Sequence, residues 1–252
     1  MNDDIELLKK RFKELYDKAD HGGYYTFTDF LGLAEQSALS EVLPRLYRAS
    51  VNTFGGAIGA ERVMVRFGNP DEIGYEVPYP IACVAVEPLS QKFADKLTHR
   101  DFLGALLNLG IERSTLGDII IRDNVGYVFA EEKIAEFITG ELLRVKRTDV
   151  KARVIDSLPE GELYKTETRR IQIQSERLDA VVAKVFSLSR DDAQTLIKRS
   201  LVFVNGKETV SSSYTPKDGN KISVRGHGRF IYKSFDSTSR KGKLNAIVEI
   251  YV

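Results

Sequence analysis

Residues 177–206 read RLDAVVAKVFSLSRDDAQTLIKRSLVFVNG, and this stretch decides what kind of module the chain carries. Leu178, Val181, Val182, Val185 and Phe186 fall at i, i+3, i+4, i+7 and i+8, the single apolar stripe of an amphipathic helix. Ser189, with an acid three residues on at Asp192, marks a second helix start. Past that helix, Val202 and Val204 alternate into Asn205-Gly206, a two-residue hairpin signal. A further short strand, Ile222-Ser223-Val224, follows the turn residues Asp218-Gly219-Asn220, and Arg225-Gly226-His227-Gly228-Arg229 trails it to Phe230. Two helices and a small ribbon, basic on one side, predict a claw for a phosphate backbone.

The claw's contacts follow from helix geometry. At ~100° per residue, Arg190, Gln194 and Lys198 share one ~80° sector of the second helix. Ala193, Leu196 and Ile197 fill the adjoining sector and face the first helix, while Arg199 points away from Arg190 unless the helix has already ended. Arginine forks onto phosphate oxygens, glutamine reaches a base or sugar, and lysine supplies a point charge. The candidate RNA contacts are therefore Arg177, Ser189, Arg190, Gln194, Lys198, Arg199, Lys207 and Arg225, with Arg229 nearby. Asp179 is read as positioning Arg177 or capping its helix rather than touching RNA. The plain alternative is a solvated helix face, which charge runs usually are.

Outside this stretch the charge balance reverses. Residues 165–252 hold 17 Lys and Arg against 9 Asp and Glu, whereas the first 164 residues hold 20 against 27. One part seeks a polyanion and the other does not. With 42% hydrophobic and 29% charged residues over 252 positions, a globular chain with a buried core is expected. No apolar run approaches the ~20 residues of a membrane span, and the acidic start Met1-Asn2-Asp3-Asp4 lacks the layout of a signal peptide. A cytoplasmic protein is expected, and the lone Cys83 fits a reducing compartment.

The chain divides, on pattern, into an α+β assembly of three parts. Residues 1–75 read as a small N-terminal α+β domain: a helix over Ile5–Tyr16, a second opening at Thr28-Asp29, and a strand over Glu61–Phe67 with Val63, Val65 and Phe67 on one face. Residues 76–156 read strand–helix–strand–strand–helix–strand, a ferredoxin-like, RRM-like order whose first helix opens at the capping box Thr98–Asp101. Residues 157–170 read as a linker and 171–252 as the RNA-binding domain.

No catalytic constellation assembles. Phe54–Gly59 has adjacent glycines rather than the G-x-G-x-x-G spacing, so a tight turn is favoured over a phosphate cradle. Cys83 lies in an apolar strand as a small hydrophobe. His21, His99 and His227 are scattered without metal-ligand spacing, so no metal and no cofactor are expected. Glu131-Glu132 reads as solvated capping at a helix start. Tyr127 and Phe129 share a strand face as in base-stacking sheets, but burial beneath the two helices is favoured. Arg144, Lys146, Arg147, Lys151 and Arg153 form a basic run that faces either RNA or solvent.

The motifs Arg177-Leu178-Asp179, Ser189-Arg190-x-x-Ala193-x-x-Leu196-Ile197, Val202-x-Val204-Asn205-Gly206 and Val224-Arg225-Gly226 resemble the S-four RNA-binding domain, also called the αL domain. Two departures stand out: Ser200 takes the place of the usual glycine after the second helix, and Gly219-Asn220 replaces Gly-Asp. Leu97 to Leu107, Gly110-Ile111-x-Arg113 and Gly117-Asp118-Ile119, together with the three-part layout, resemble the YlmH family over nearly the full length. That resemblance implies a non-enzymatic factor of the large ribosomal subunit, binding rRNA and peptidyl-tRNA in ribosome-associated quality control while an alanine tail is added to a stalled chain. It also implies quality-control factors as partners, with Arg177 and Arg190 on RNA. Two alternatives remain at this point. One is an RNA-modifying enzyme delivered by the claw; the other is a scaffold linked to cell division.

Overall fold

The structure, a computed structural model, describes residues 2–46, 50–156, 158, 164–238 and 244–251. The chain folds as two compact units, residues 1–163 and 164–252, and the first of them contains two hydrophobic cores. Among the described residues no helix is long and apolar enough to cross a membrane.

The first core is organised by α1 (Asn2–Gly22), which buries Phe12, Leu15, Tyr16 and Ala19 at helical spacing. It packs against a three-stranded antiparallel sheet, ordered β1-β3-β2, of β1 (Thr26–Phe27), β2 (Val51–Phe54) and β3 (Met64–Phe67). The helix expected at Thr28 starts later, as α2 (Leu33–Val42). Thr28–Leu31 is held extended instead: the Val65 amide donates to the Thr28 hydroxyl at 2.9 Å, and Leu31 bridges Val63. Val65 and Phe67 face the core as expected, but β3 has no solvated face. Its other side is covered because the Arg66 guanidinium lies over the rings of Tyr25 (4.8 Å) and Tyr79 (5.3 Å) and donates to the Val77 carbonyl at 2.7 Å. A short α3 (Pro70–Ile73) leads out of this layer.

The second core belongs to β4 (Ile81–Pro88), α4 (His99–Asn108), β5 (Leu116–Arg122), β6 (Val125–Glu131), α5 (Glu132–Glu141), the two-residue β7 (Arg144–Val145) and β8 (Thr148–Ile155). The antiparallel sheet is ordered β5-β6-β4-β8-β7, the ferredoxin-like arrangement extended by a short edge strand. Val84, Val86, Val128 and Ala130 face the helices, where Phe102, Leu106 and Ile138 are wholly buried. By alternation, Tyr127 and Phe129 point to the opposite face. Phe129 is therefore buried, but not beneath the helices. Its ring lies against Gly56, whose φ of +91° and missing Cβ admit that contact. Cys83 shares this closed face, and burial pushes its thiol up to about 12. Glu131 also departs from expectation, being 5% exposed, with burial raising its pKa.

A polar seam ties the two layers of this unit together. Arg62 donates to the carbonyls of Leu116 (2.8 Å), Phe30 (2.7 Å) and Arg113 (3.1 Å), and Asp118 accepts the amides of Glu61 and Arg62. Arg113 in turn donates to the carbonyls of Leu116 and Gly117. Residues 1–75 and 76–156, separable by pattern, thus share one compact unit.

The second unit begins at Tyr164, ahead of the boundary expected at 171. Of the expected linker, residues 157 and 159–163 lie outside the described residues, and 166–170 are the start of β9 (Thr166–Ile173). Then come α6 (Leu178–Phe186), α7 (Arg190–Lys198), β10 (Val202–Val204), β11 (Lys207–Glu208), β12 (Asn220–Val224), β13 (Gly228–Thr238) and β14 (Leu244–Tyr251). The small ribbon of the sequence reading is a six-stranded antiparallel sheet, ordered β11-β10-β12-β13-β14-β9. Its inner face, from Ile171 through Val204, Val224, Phe230, Tyr232 and Val248, packs on both helices in one core. Asn205 (φ 51°) and Gly206 (φ 78°) are both left-handed, the backbone of a type I′ hairpin turn.

Ser200, at the position where the resemblance leads one to expect glycine, has φ 58°. A non-glycine residue there costs roughly 1–2 kcal/mol, and glycine returns about half of that through its freer unfolded chain. Ser200→Gly is expected to raise the unfolding midpoint of this unit by about 2–8 °C, as followed by differential scanning calorimetry.

Candidate nucleic-acid interface

The N-terminal ends of α6 and α7 meet at a carboxylate. Arg177 precedes α6, Asp179 lies in its first turn, Ser189 caps α7, and Arg190 and Gln194 lie on its first two turns. Asp179 has no exposed surface. Its oxygens accept Nε and Nη2 of Arg177, both at 3.2 Å, Nε and Nη2 of Arg190, both at 3.3 Å, Nε2 of Gln194 at 2.8 Å and the Ala180 amide at 2.9 Å. Burial pushes the pKa of this carboxyl up, but the donors Arg177, Gln194 and Arg190 outweigh it and hold the group below its ordinary value.

The two arginines are anchored rather than consumed. Each side chain stays 42% exposed while its Nε–Nη2 edge is forked onto Asp179. Two cations on one anion leave a net positive site with guanidinium planes preset for an oxyanion, and the positive helix ends add to the same field. Rotamer entropy that a free arginine would lose on binding phosphate is already lost here.

The remaining candidates divide. Lys198 extends the Arg190–Gln194 face and is exposed. Arg199 is the C-cap of α7, its amide still bonded to the Thr195 carbonyl at 3.0 Å, so it keeps its helical direction, about opposite to Arg190. Arg225 is exposed, and its amide bonds the Leu201 carbonyl at 2.9 Å, which puts it beside the end of α7. Lys207 pairs with Val204, at the other end of the three-residue β10, roughly 10 Å from Leu201 along the strand. The Ser189 hydroxyl is occupied by its cap, accepting the Asp192 amide at 3.0 Å and donating to the Asp192 carboxylate at 2.6 Å. Asp179 proves to position Arg177, as expected, and also Arg190 and Gln194, which the sequence did not reveal. Among the described residues no group of three or more His, Cys, Asp or Glu could hold a metal ion.

Comparison with known proteins adds identity to this geometry. The family described as "Putative RNA-binding domain in YlmH" matches residues 76–158. Over 233 residues the chain is 30% identical to the "Ribosome-associated protein quality control protein P2" of Bacillus subtilis (strain 168), covering 88% of this chain and 86% of that protein. The chain belongs to the YlmH family. Among solved structures, "Cell division protein ylmH from Streptococcus pneumoniae" aligns at 22% identity with a TM-score of 0.47, covering 60% of this chain and 90% of that one. In this YlmH-family chain the matched RNA-binding segment is the ferredoxin-like layer, and the arginine claw lies beyond it.

Asp179→Asn keeps the shape but replaces an oxygen by a donor facing guanidinium. Since the arginines are part-exposed and can resolvate, the expected stability loss is about 1–3 kcal/mol in urea unfolding of this unit. The pH dependence has a definite sign. Because the folded pKa is depressed, the carboxylate's contribution is complete above the ordinary 3.8 and is lost only as pH falls further. Acid titration followed by arginine Nε NMR signals should therefore show the claw intact at pH 5.

Proposed function

We propose that this protein is an RNA-binding factor of ribosome-associated quality control, contacting rRNA of the large subunit and peptidyl-tRNA while a stalled chain receives its alanine tail. The observation that carries the RNA contact is the pair of half-exposed guanidiniums forked onto the buried Asp179. The family match to an RNA-binding domain and the name of the Bacillus subtilis relative support the setting.

The proposed role is to bind rather than to catalyse. A pseudouridine synthase needs an aspartate free to meet a base. The Arg-Leu-Asp of this chain is Arg177-Leu178-Asp179, and its aspartate is enclosed by two arginines and a glutamine. In this reading Arg177 and Arg190 clamp phosphates, Gln194 and Lys198 continue the track along α7, and Arg199 and Arg225 flank its end. No cofactor is required.

Co-sedimentation with large ribosomal subunits over a salt series tests this. Arg177→Ala with Arg190→Ala should weaken association and flatten the dependence of log K on log salt by ~0.7–0.9 per lost phosphate contact. Wild-type association across the series would overturn the proposal.

A further inference from the structure

The ferredoxin-like layer matches an RNA-binding family, yet its sheet face, the usual stacking surface of such a fold, is partly closed. Phe129 is buried against Gly56, and Cys83 beside it is 9% exposed. Another surface of the same layer has the chemistry that this face lacks. Phe93 is 82% exposed, more than any other Phe or Tyr side chain among the described residues, and Lys92 Nζ lies 5.6 Å from its ring centroid.

The fold brings this loop to the basic run near residue 145. The Asp95 amide donates to the Thr148 hydroxyl at 3.0 Å, and the Leu89 amide to the Asp149 carbonyl at 2.9 Å. Asn124 clamps the loop from the other side, accepting the Leu97 amide and donating to the Asp95 carbonyl, both at 2.9 Å. Beside it, Lys146 and Arg147 form the two-residue tip between β7 and β8, both exposed. Lys146 takes φ 57°, a backbone that asparagine or glycine would adopt with less strain. A charge has been placed where turn chemistry favours something else. Residues 91–96 and 144–147 together hold five Lys and Arg against one acid, Asp95; the neighbouring Asp149 is paired with Arg144 at 2.8 Å, and Asp101 of α4 lies within electrostatic reach of Lys146.

We propose that Phe93, with Lys92, Lys96, Lys146 and Arg147, is a second RNA-binding surface that takes a single-stranded segment, one base stacked on the Phe93 ring and the flanking phosphates on the four cations. An exposed aromatic with one cation near its ring, on a loop fastened beside a basic turn, suits unpaired nucleotides, because every base offers a π-face and each phosphate a charge. The surface rests on the RNA-binding reading above but uses none of the claw's residues.

The test is fluorescence anisotropy of the full chain with a labelled oligouridine of about 12 nucleotides, within the usual single-strand site size. It is run on the parent and on the Arg177→Ala/Arg190→Ala protein, each with and without Phe93→Ala or Lys146→Ala/Arg147→Ala. In both backgrounds Phe93→Ala should weaken binding about 5- to 150-fold. The double lysine–arginine variant should lower the salt slope by ~0.7 per phosphate released. Circular dichroism should not change, since these side chains are exposed. Parent-like binding by both patch variants overturns this proposal and leaves the claw untouched; loss through Arg177 and Arg190 alone has the same meaning. Patch variants that keep oligouridine binding but lose ribosome co-sedimentation would assign the surface to a protein partner, and that too overturns it.

Discussion

A carboxylate without exposed surface can stay charged only if donors replace the water it has lost, and Asp179 meets that condition with six hydrogen bonds from four residues. The donors come from both helices of the unit, so the same requirement that keeps the group ionised also fixes α7 against α6. Leu178, Val181, Val182 and Val185 on one helix and Ala193 and Ile197 on the other supply the apolar contact, which is non-directional. Asp179 supplies direction. Arg177 and Arg190 are consequently oriented by the protein's interior and not by the ligand. Lysine could not replace them, because a point charge cannot fork onto two oxygens and still present an outward edge.

An analogous arrangement holds the first unit together. Arg62 and Arg113 are part-buried and donate mainly to backbone carbonyls, while Asp118 receives two backbone amides. Burial lowers the pKa of both arginines, and Asp118 opposes that shift. Gly117 lies in the same seam: a Cβ there would come within 2.7 Å of the Phe30 ring and 2.9 Å of Phe129. The closing of the ferredoxin-like sheet thus follows from close backbone approach plus a small set of charged fasteners. An RNA strand could not enter at Phe129 without opening that seam.

The elements with strong local signals were legible in the sequence. The stripes of α1, α4 and α6, the caps at Thr98 and Ser189 and the Asn205-Gly206 turn each rest on a few neighbouring residues. The strand order of the ferredoxin-like layer followed from the alternation of elements. β9 was hidden because Thr166–Arg170 is exposed on both faces and only Ile171 and Ile173 reach the core. β14 carried a period-2 signal, with Ala246, Val248 and Ile250 buried, but its pairing with β9 spans some 80 positions that no local pattern encodes. In the site, the arginines could be found by residue type and spacing. Asp179 as a shared anchor could not, because Gln194 and Arg190 reach it across a helix–helix contact. The false helix start at Thr28 has a similar origin: Phe30, Leu31, Leu33 and Ala34 imitate helical spacing, while the bond that decides the matter comes from Val65.

Charge distribution limits which surfaces can approach a polyanion. The first 164 residues are net acidic, with 27 acids against 20 bases, so most of that surface repels RNA. At physiological salt, screening acts over about 8 Å, so a local excess of cations is felt at short range whatever the net charge of the unit. Residues 91–96 and 144–147 make such an excess, and the fold assembles it from segments some 50 positions apart. Net acidity then becomes selective: it discourages indiscriminate contact with RNA while leaving one basic, aromatic edge able to engage. The claw lies in the opposite setting, in a segment of 17 bases against 9 acids, where long-range attraction to a polyanion is available and the geometry at Asp179 would have to supply selectivity.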